Sequence, residues 1–387
     1  MGATTGIAWA DATVNFWIGC TKVSAACDHC YAEAWAARFG VAEWGHGKAR
    51  RPRLDKAAAE AFRRSNAARA DDPLQREGRR LKVFANSLSD LFDAEVPEDW
   101  RDFAFAVFAL TPALDWQILT KRPKWARAYL GRHFGGGESF HLSEVLFEMF
   151  HPFDEWHHEA AANCLDSNTP LQNVWLGTTV ETQAMADLRV PELLAAPAAL
   201  RWLSIEPLLG EINLRKIAAR RAPAIDALTG RMIAGNHSGD RRRERLDWVV
   251  VGGESGRGAR PMHPDWVRSL RDQCLAAEVP FFFKQWGEYL LGERTPESAG
   301  GDGHGLPLRF ADGDIFEVLC DGTDIVLAAA EDEAAGPRKI WREFHGWQGQ
   351  LLRKLGTKRA GHLLDGRAWQ DFPQTPATLP PAKESAP

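Results

Sequence analysis

Cys20, Cys27 and Cys30 lie in the run IGCTKVSAACDHCYAE and form a Cys-x6-Cys-x2-Cys cluster, just ahead of a stretch with an amphipathic helical pattern. Three thiolates on one short loop can hold three irons of a [4Fe-4S] cluster, because soft sulfur ligands suit iron-sulfur assembly. The missing fourth ligand leaves one iron open to a small molecule. The competing reading is structural zinc, with His29 or a distant side chain such as Cys274 as fourth ligand. Only one Cys-x2-Cys knuckle is present, and a histidine between two ligating cysteines is awkwardly placed to reach the same ion, so the pattern favours iron-sulfur. The other three cysteines, Cys164, Cys274 and Cys320, are scattered and read as buried thiols, not as a disulfide framework.

The strand ends offer a second set of chemical groups. Seven short apolar runs recur along the chain: 14–20, 81–90, 115–123, 173–182, 200–208, 247–255 and 279–287. Each is nearly continuous in apolar, β-branched or aromatic residues, as in a parallel strand buried on both faces. Helical patterns at 97–110, 123–134 and 264–278 fall between them, each opening on a proline that the first helical turn tolerates. Strand, helix, strand predicts an α/β fold, a partial or complete (β/α) barrel of parallel strands.

In such a barrel the polar residues that close each run converge on one mouth. These are Asn86, Ser87, Asp90, Thr120, Lys121, Arg122, Thr178, Thr179, Glu181, Ser204, Glu206, Glu254, Ser255, Lys284 and Gln285. Gly252 and Gly253, in WVVVGGESG, would let backbone amides approach a ligand closely, with Glu254 accepting from an amine or a ribose hydroxyl. The segment is not a dinucleotide fingerprint, since no Gly-x-Gly-x-x-Gly opens a helix there. Lys121, Arg122, Arg257, Arg260 and Lys284 could ring the mouth with positive charge suited to a phosphate-bearing substrate, a nucleotide or a nucleic acid. Trp9, Trp17, Trp175, Trp202, Trp248 and Trp286 flank the runs, as core or as a stacking platform for bases.

The chain has 387 residues and is 45% hydrophobic, enough for a barrel of this kind, and its net charge of −5 gives no global basic field for nucleic acid or membrane. No leader-like segment and no run of eighteen apolar residues is present, so the expectation is a cytoplasmic protein that does not cross a membrane. The barrel is expected over 1–290, helical insertions at about 133–170 and 215–245 included. A C-terminal extension over 291–372 packs on it, and a proline-rich disordered tail spans 373–387. The first insertion holds His133, His141, His151, His157 and His158 without recognised metal-ligand spacing and reads as a solvated helical excursion. The second carries Arg241, Arg242, Arg243 and Arg245, a solvated charge run or a contact for a polyanion. In the extension, 341–361 reads as helical.

The stretches WADATVNFWIGCTKVSAACDHCYAE, FANSLSDLF, WQILTKRP, WLGTTVET, RWLSIEPLLG, WVVVGGESGRGARPMHPDWVRSLRDQC, PFFFKQWGEY and AGHLLDGRAWQDFP resemble the uncharacterised three-cysteine proteins of phages and bacterial genomes. That group is similar to the radical S-adenosylmethionine enzymes. The first cysteine spacing is six residues where three is usual there, His29 stands where an aromatic is usual with Tyr31 its neighbour, and the Gly-Gly-Glu element follows the sixth run, not the second.

The resemblance implies a [4Fe-4S] cluster on Cys20, Cys27 and Cys30, with the open iron chelated by the amino and carboxylate groups of S-adenosyl-L-methionine. Reductive cleavage would yield a 5'-deoxyadenosyl radical that takes hydrogen from a substrate, with an electron donor as partner. By position, Ser87, Asp90, Thr178, Thr179, Ser204, Glu206, Gly252, Gly253 and Glu254 would bind the cofactor. The alternative is a cluster-stabilised binding or redox-sensing module, without S-adenosylmethionine cleavage, whose barrel recognises a ligand or partner protein.

Overall fold

The computed structural model describes residues 5–70, 80–134, 169–219, 222–233, 244–256, 258–291, 293–294, 306–309, 315–320, 325–329, 338–339, 352–354 and 357–374. Seven parallel strands lie side by side in chain order: β1 (Ala12–Val14), β2 (Leu81–Ala85), β3 (Leu114–Thr120), β4 (Val174–Thr179), β5 (Leu200–Ile205), β6 (Trp248–Gly252) and β7 (Phe281–Gln285). The outer strands β1 and β7 do not pair with each other, so the sheet is a curled half-barrel and not a closed one. The α/β expectation is met, and all seven runs contain a strand.

The first run is displaced. Its sheet strand is Ala12–Val14, and Trp17–Ile18 instead pairs antiparallel with Arg51–Pro52. The change of direction after Val14 is held by two amides: Asn86 Oδ1 accepts from Phe16 N at 2.8 Å, and Asn15 Oδ1 accepts from Leu88 N at 2.8 Å.

Helix α1 (Tyr31–Phe39) follows the cysteine loop and packs Ala32 and Ala36 against Ile18 and Leu88, while α2 (Leu54–Ala70), α3 (Glu98–Leu110), α4 (Pro123–Phe134), α5 (Gln183–Leu194) and α6 (Pro264–Ala276) cover the convex face. Alternation along each strand divides the core in two. Val83 and Ala85, Trp116 and Ile118, Val174 and Leu176, Leu203 and Ile205, Val249 and Val251, and Phe281 and Phe283 belong to the large outer core. Phe84, Trp175, Trp202, Trp248, Val250 and Phe282 face inward and pack with Trp9 into an aromatic plug inside the curl. Trp17, Trp175, Trp202 and Trp248 are fully buried, so they serve as core and not as a stacking platform.

The exposed edge of β7 is covered by the end of the described chain. Phe283 N donates to Trp369 O at 2.8 Å, Asp371 N to Phe281 O at 3.2 Å, and Phe372 stacks on Trp248. This blunts an edge that would otherwise recruit another strand. The helix expected over 341–361 is not what the described part of that segment forms. Leu352–Lys354 is a strand paired with Tyr289–Leu291, and only Thr357–Ala360 is helical. In the second insertion, Ile217–Ala219, Ala222–Asp226 and Arg231–Ile233 make a small antiparallel sheet, while Arg241, Arg242 and Arg243 lie outside the described residues. Of the first insertion's histidines only His133 is described, buried on α4. Among the described residues no helix is long and apolar enough to cross a membrane.

Candidate functional site

A cavity of about 230 Å³ opens at the C-terminal ends of the strands, and Cys20, Cys27 and Cys30 all line it. The inward parity that builds the aromatic plug continues upward to Thr179 on β4, Ser204 and then Glu206 beyond β5, and Lys284 on β7, each of which faces the cavity. Trp9, Phe84 and Leu119 form its apolar floor. Of the strand-end residues expected at the mouth, all line the cavity except Thr178 and Glu181.

Thr178 has the opposite parity. Its hydroxyl donates to Thr120 O at 2.7 Å and stays within the sheet, so it cannot bind a cofactor from there. Glu181 is buried against Arg189 at 2.9 Å and accepts from Ala26 N at 3.4 Å, which fixes the cysteine loop from below.

The loop is held from both ends. On the Cys20 side, Arg122 donates to Cys20 Sγ at 3.7 Å and to Thr21 O at 2.7 Å, while its other contacts are Asp90 at 2.9 Å and Asp93 at 3.6 Å. Asp90 is fully engaged, accepting from the Thr120 hydroxyl at 2.7 Å and from Lys121 N and Phe92 N at 2.9 Å each. Burial alone would push its carboxyl up, but the Arg122 charge and these donors hold it below the usual carboxylate value. Asp90 therefore positions Arg122 and has little left for a ligand. Burial, and next the Asp90 charge, push the Cys20 thiol up to about 12 against the pull of Arg122, so a metal ion taken up there has a proton to displace.

On the other side, Glu254 at the end of β6 accepts from Arg260 at 2.6 and 2.8 Å and pairs with His29 Nδ1 at 3.2 Å. Arg260 in turn reaches Ala25 O at 2.8 Å and Asp28 at 3.3 Å. The glutamate expected to take an amine or ribose hydroxyl thus clamps the cysteine loop to β6. Burial raises its acidity constant's midpoint, but the Arg260 donors overcome this and hold it below its ordinary 4.5. The folded value lies under the unfolded one, so the clamp's contribution is complete above about pH 4.5 and fades as pH falls through the lower folded value. Arg260→Ala is expected to speed amide exchange across 25–30 and to weaken metal uptake roughly 10- to 100-fold, as loss of a group orienting ligands does. Hydrogen-exchange mass spectrometry with Arg271→Ala as comparison checks this.

The two glycines act by close packing. A Cβ on Gly253 would stand 2.0 Å from Trp286 O, and one on Gly252 would stand 2.6 Å from Glu206 Oε1. Gly253 lets β6 and β7 meet at their ends, and Gly252 makes room for the Glu206 carboxylate. Gly253→Ala is expected to lower stability by about 1–3 kcal/mol or more, because backbone must move to admit the methyl; a thermal melt measures it. Glu206 pairs with Lys284 at 2.9 Å and accepts from Trp9 Nε1 at 3.4 Å and from the Ser204 hydroxyl at 3.5 Å. Ser87 exchanges contacts with Asn15 at 3.2 Å, and its carbonyl accepts from the Tyr31 hydroxyl at 2.6 Å.

Of the two fourth-ligand candidates, Cys274 is buried in the outer core on α6 and does not line the cavity, while His29 lines it with Nδ1 held by Glu254. The three loop cysteines are free thiols sharing one cavity, a donor set that suits an iron-sulfur cluster. Among the described residues, no three His, Cys, Asp or Glu side chains are drawn together tightly enough to hold a metal ion as they stand. Arg257 lies outside the described residues.

Several supporting residues were not singled out from the sequence. Arg50 donates to Asp93 at 3.0 Å, to the Thr21 hydroxyl at 2.6 Å and to Lys48 O at 2.6 Å, beneath Cys20. Asn15 and Arg189 complete the support. The only local hint is the run SLSDLFDAE, which brings Asp90, Asp93 and Glu95 close together.

A family model described as "Protein of unknown function (DUF5131)" matches residues 4–373. No curated protein and no solved structure matches the chain.

Proposed function

The chain belongs to the DUF5131 family, and from its cysteine-lined cavity we propose that it is a [4Fe-4S]-dependent enzyme of the radical S-adenosylmethionine kind. The observation that carries this reading is the sharing of one cavity by Cys20, Cys27, Cys30 and the polar ends of a parallel half-barrel. A cluster held by these cysteines would supply an open iron for S-adenosylmethionine and, with one electron from a donor, its cleavage to methionine and a 5'-deoxyadenosyl radical.

The protein's own work is placement and exclusion. Arg122 and Arg260 set the two ends of the cysteine loop against the strand ends. Ser87, Thr179 and Ser204 present hydroxyls to the cavity, and the Glu206–Lys284 pair places one charge of each sign at its wall. Trp9, Phe84 and Leu119 close the floor and keep water from below a reactive centre. The substrate class favoured by the basic strand ends is a nucleotide or nucleic acid.

The test is anaerobic reconstitution with iron and sulfide, reduction, and chromatography for 5'-deoxyadenosine. Product above the unreduced control is expected. A stable cluster or bound zinc with no cleavage, under conditions where a known radical enzyme turns over, would overturn the reading in favour of a binding or redox-sensing module.

A further inference from the structure

Asn86 ends β2 with φ +57° and is 3% exposed, yet it lines the cavity. Its Oδ1 is committed to Phe16 N at 2.8 Å, which fixes the amide's orientation and leaves Nδ2 on the other side. That Nδ2 is buried and has no hydrogen-bond partner. A buried donor left unpaired costs about 1–3 kcal/mol, so such a group in a cavity wall calls for an acceptor from outside the chain.

The neighbouring strand end supplies a charge to match. Lys121 follows β3 and lines the same cavity. The other cations there are already balanced: Arg122 by Asp90, Lys284 by Glu206 and Lys22 by Glu33. Among the described residues no carboxylate pairs with Lys121, whose backbone N–H alone is used, by Asp90.

We propose that Asn86 Nδ2 and Lys121 Nζ, on adjacent strand ends, bind a phosphate group of the substrate. A carboxylate would offer the same anionic oxygens, but on the reading above the cofactor's carboxylate is taken by the open iron, leaving this wall to the substrate. Phosphate oxygens can accept from both Nδ2 hydrogens and the ammonium together, each a charge-assisted bond. The inference rests on the proposed enzyme only for the word substrate; the anion site itself needs no cluster.

The experiment is calorimetric titration of the full chain at low ionic strength, as purified and after reconstitution. Inorganic pyrophosphate is the base-free phosphate probe and S-adenosylhomocysteine the probe for the cofactor's carboxylate. Pyrophosphate is expected to bind in both preparations, and Lys121→Met and Asn86→Asp each to weaken it roughly tenfold or more, the range for a hydrogen bond to a charged group. Asn86→Asp keeps the acceptor for Phe16 N while removing the donors, and a thermal melt of each variant beside wild type separates lost binding from lost folding. S-Adenosylhomocysteine affinity is expected to change less than twofold in Lys121→Met. Absence of pyrophosphate binding, equal binding by wild type and both variants, or weakening of S-adenosylhomocysteine in place of pyrophosphate would each overturn the assignment. Pyrophosphate binding without S-adenosylmethionine cleavage would sink the enzyme reading and leave the anion site standing.

Discussion

Cys27→Ala is expected to fold as the wild type does and to form no 5'-deoxyadenosine above background, with its iron and sulfide content and the visible absorbance of the cluster lost together. Cys27 is 8% exposed, and trimming one sulfur from a partly covered site costs on the order of 1 kcal/mol, too little to unfold a domain with this core. Activity and iron must therefore fall together while the thermal transition barely moves. Cys274→Ala supplies the opposite pattern. That thiol sits in the outer core on the buried side of α6, so its removal should lower the melting temperature and leave iron content unchanged. If Cys27→Ala kept its iron, the loop would not hold the cluster and the proposed chemistry would have no seat.

The site was legible where burial makes a local signal. Parallel strands covered on both faces must be apolar along their length, so VWLGTT, LRWLSI and WVVVG announce themselves, and the polar residues that follow have to lie at the barrel mouth. The same property hid the parity of Thr178 and Thr179. In a strand apolar on both faces no alternation tells which of two adjacent threonines looks inward, and only the position of the aromatic plug decides it. Glu254 could be placed at the mouth, but its use as a clamp depends on Arg260, Ala25, Asp28 and His29, which the fold alone brings together. Leu352–Lys354 shows the reverse case, in which pairing with Tyr289–Leu291 overrides a local helical pattern.

The arginine beneath the cysteine loop is expected to carry a large share of the site's stability. Arg50 and Asp93 have side chains only 1% and 2% exposed, and the pair is joined through Nε at 3.0 Å and Nη2 at 2.8 Å. Two charges withdrawn from water this far are stabilised chiefly by each other, so deleting one leaves the second buried without its main counter-charge, a loss that costs about 3–5 kcal/mol where nothing else compensates. Glu95, at 3.2 Å from the same guanidinium, offsets part of that loss, which places Asp93→Ala toward the lower end. The damage should not stop at stability. Arg50 also bonds the Thr21 hydroxyl and the carbonyls of Gly45 and Lys48, and Gly45 N donates to Cys20 O at 3.0 Å. Asp93 further faces Arg122, the group that donates to Cys20 Sγ. Denaturant unfolding of Asp93→Ala and Arg50→Met, singly and together, separates the two effects. The double variant should recover stability relative to Asp93→Ala, because the buried guanidinium is removed with its partner and only the partly exposed Glu95 loses a contact, while metal uptake should stay impaired in all three, because the Cys20 anchor depends on the bonds and not on the charge balance.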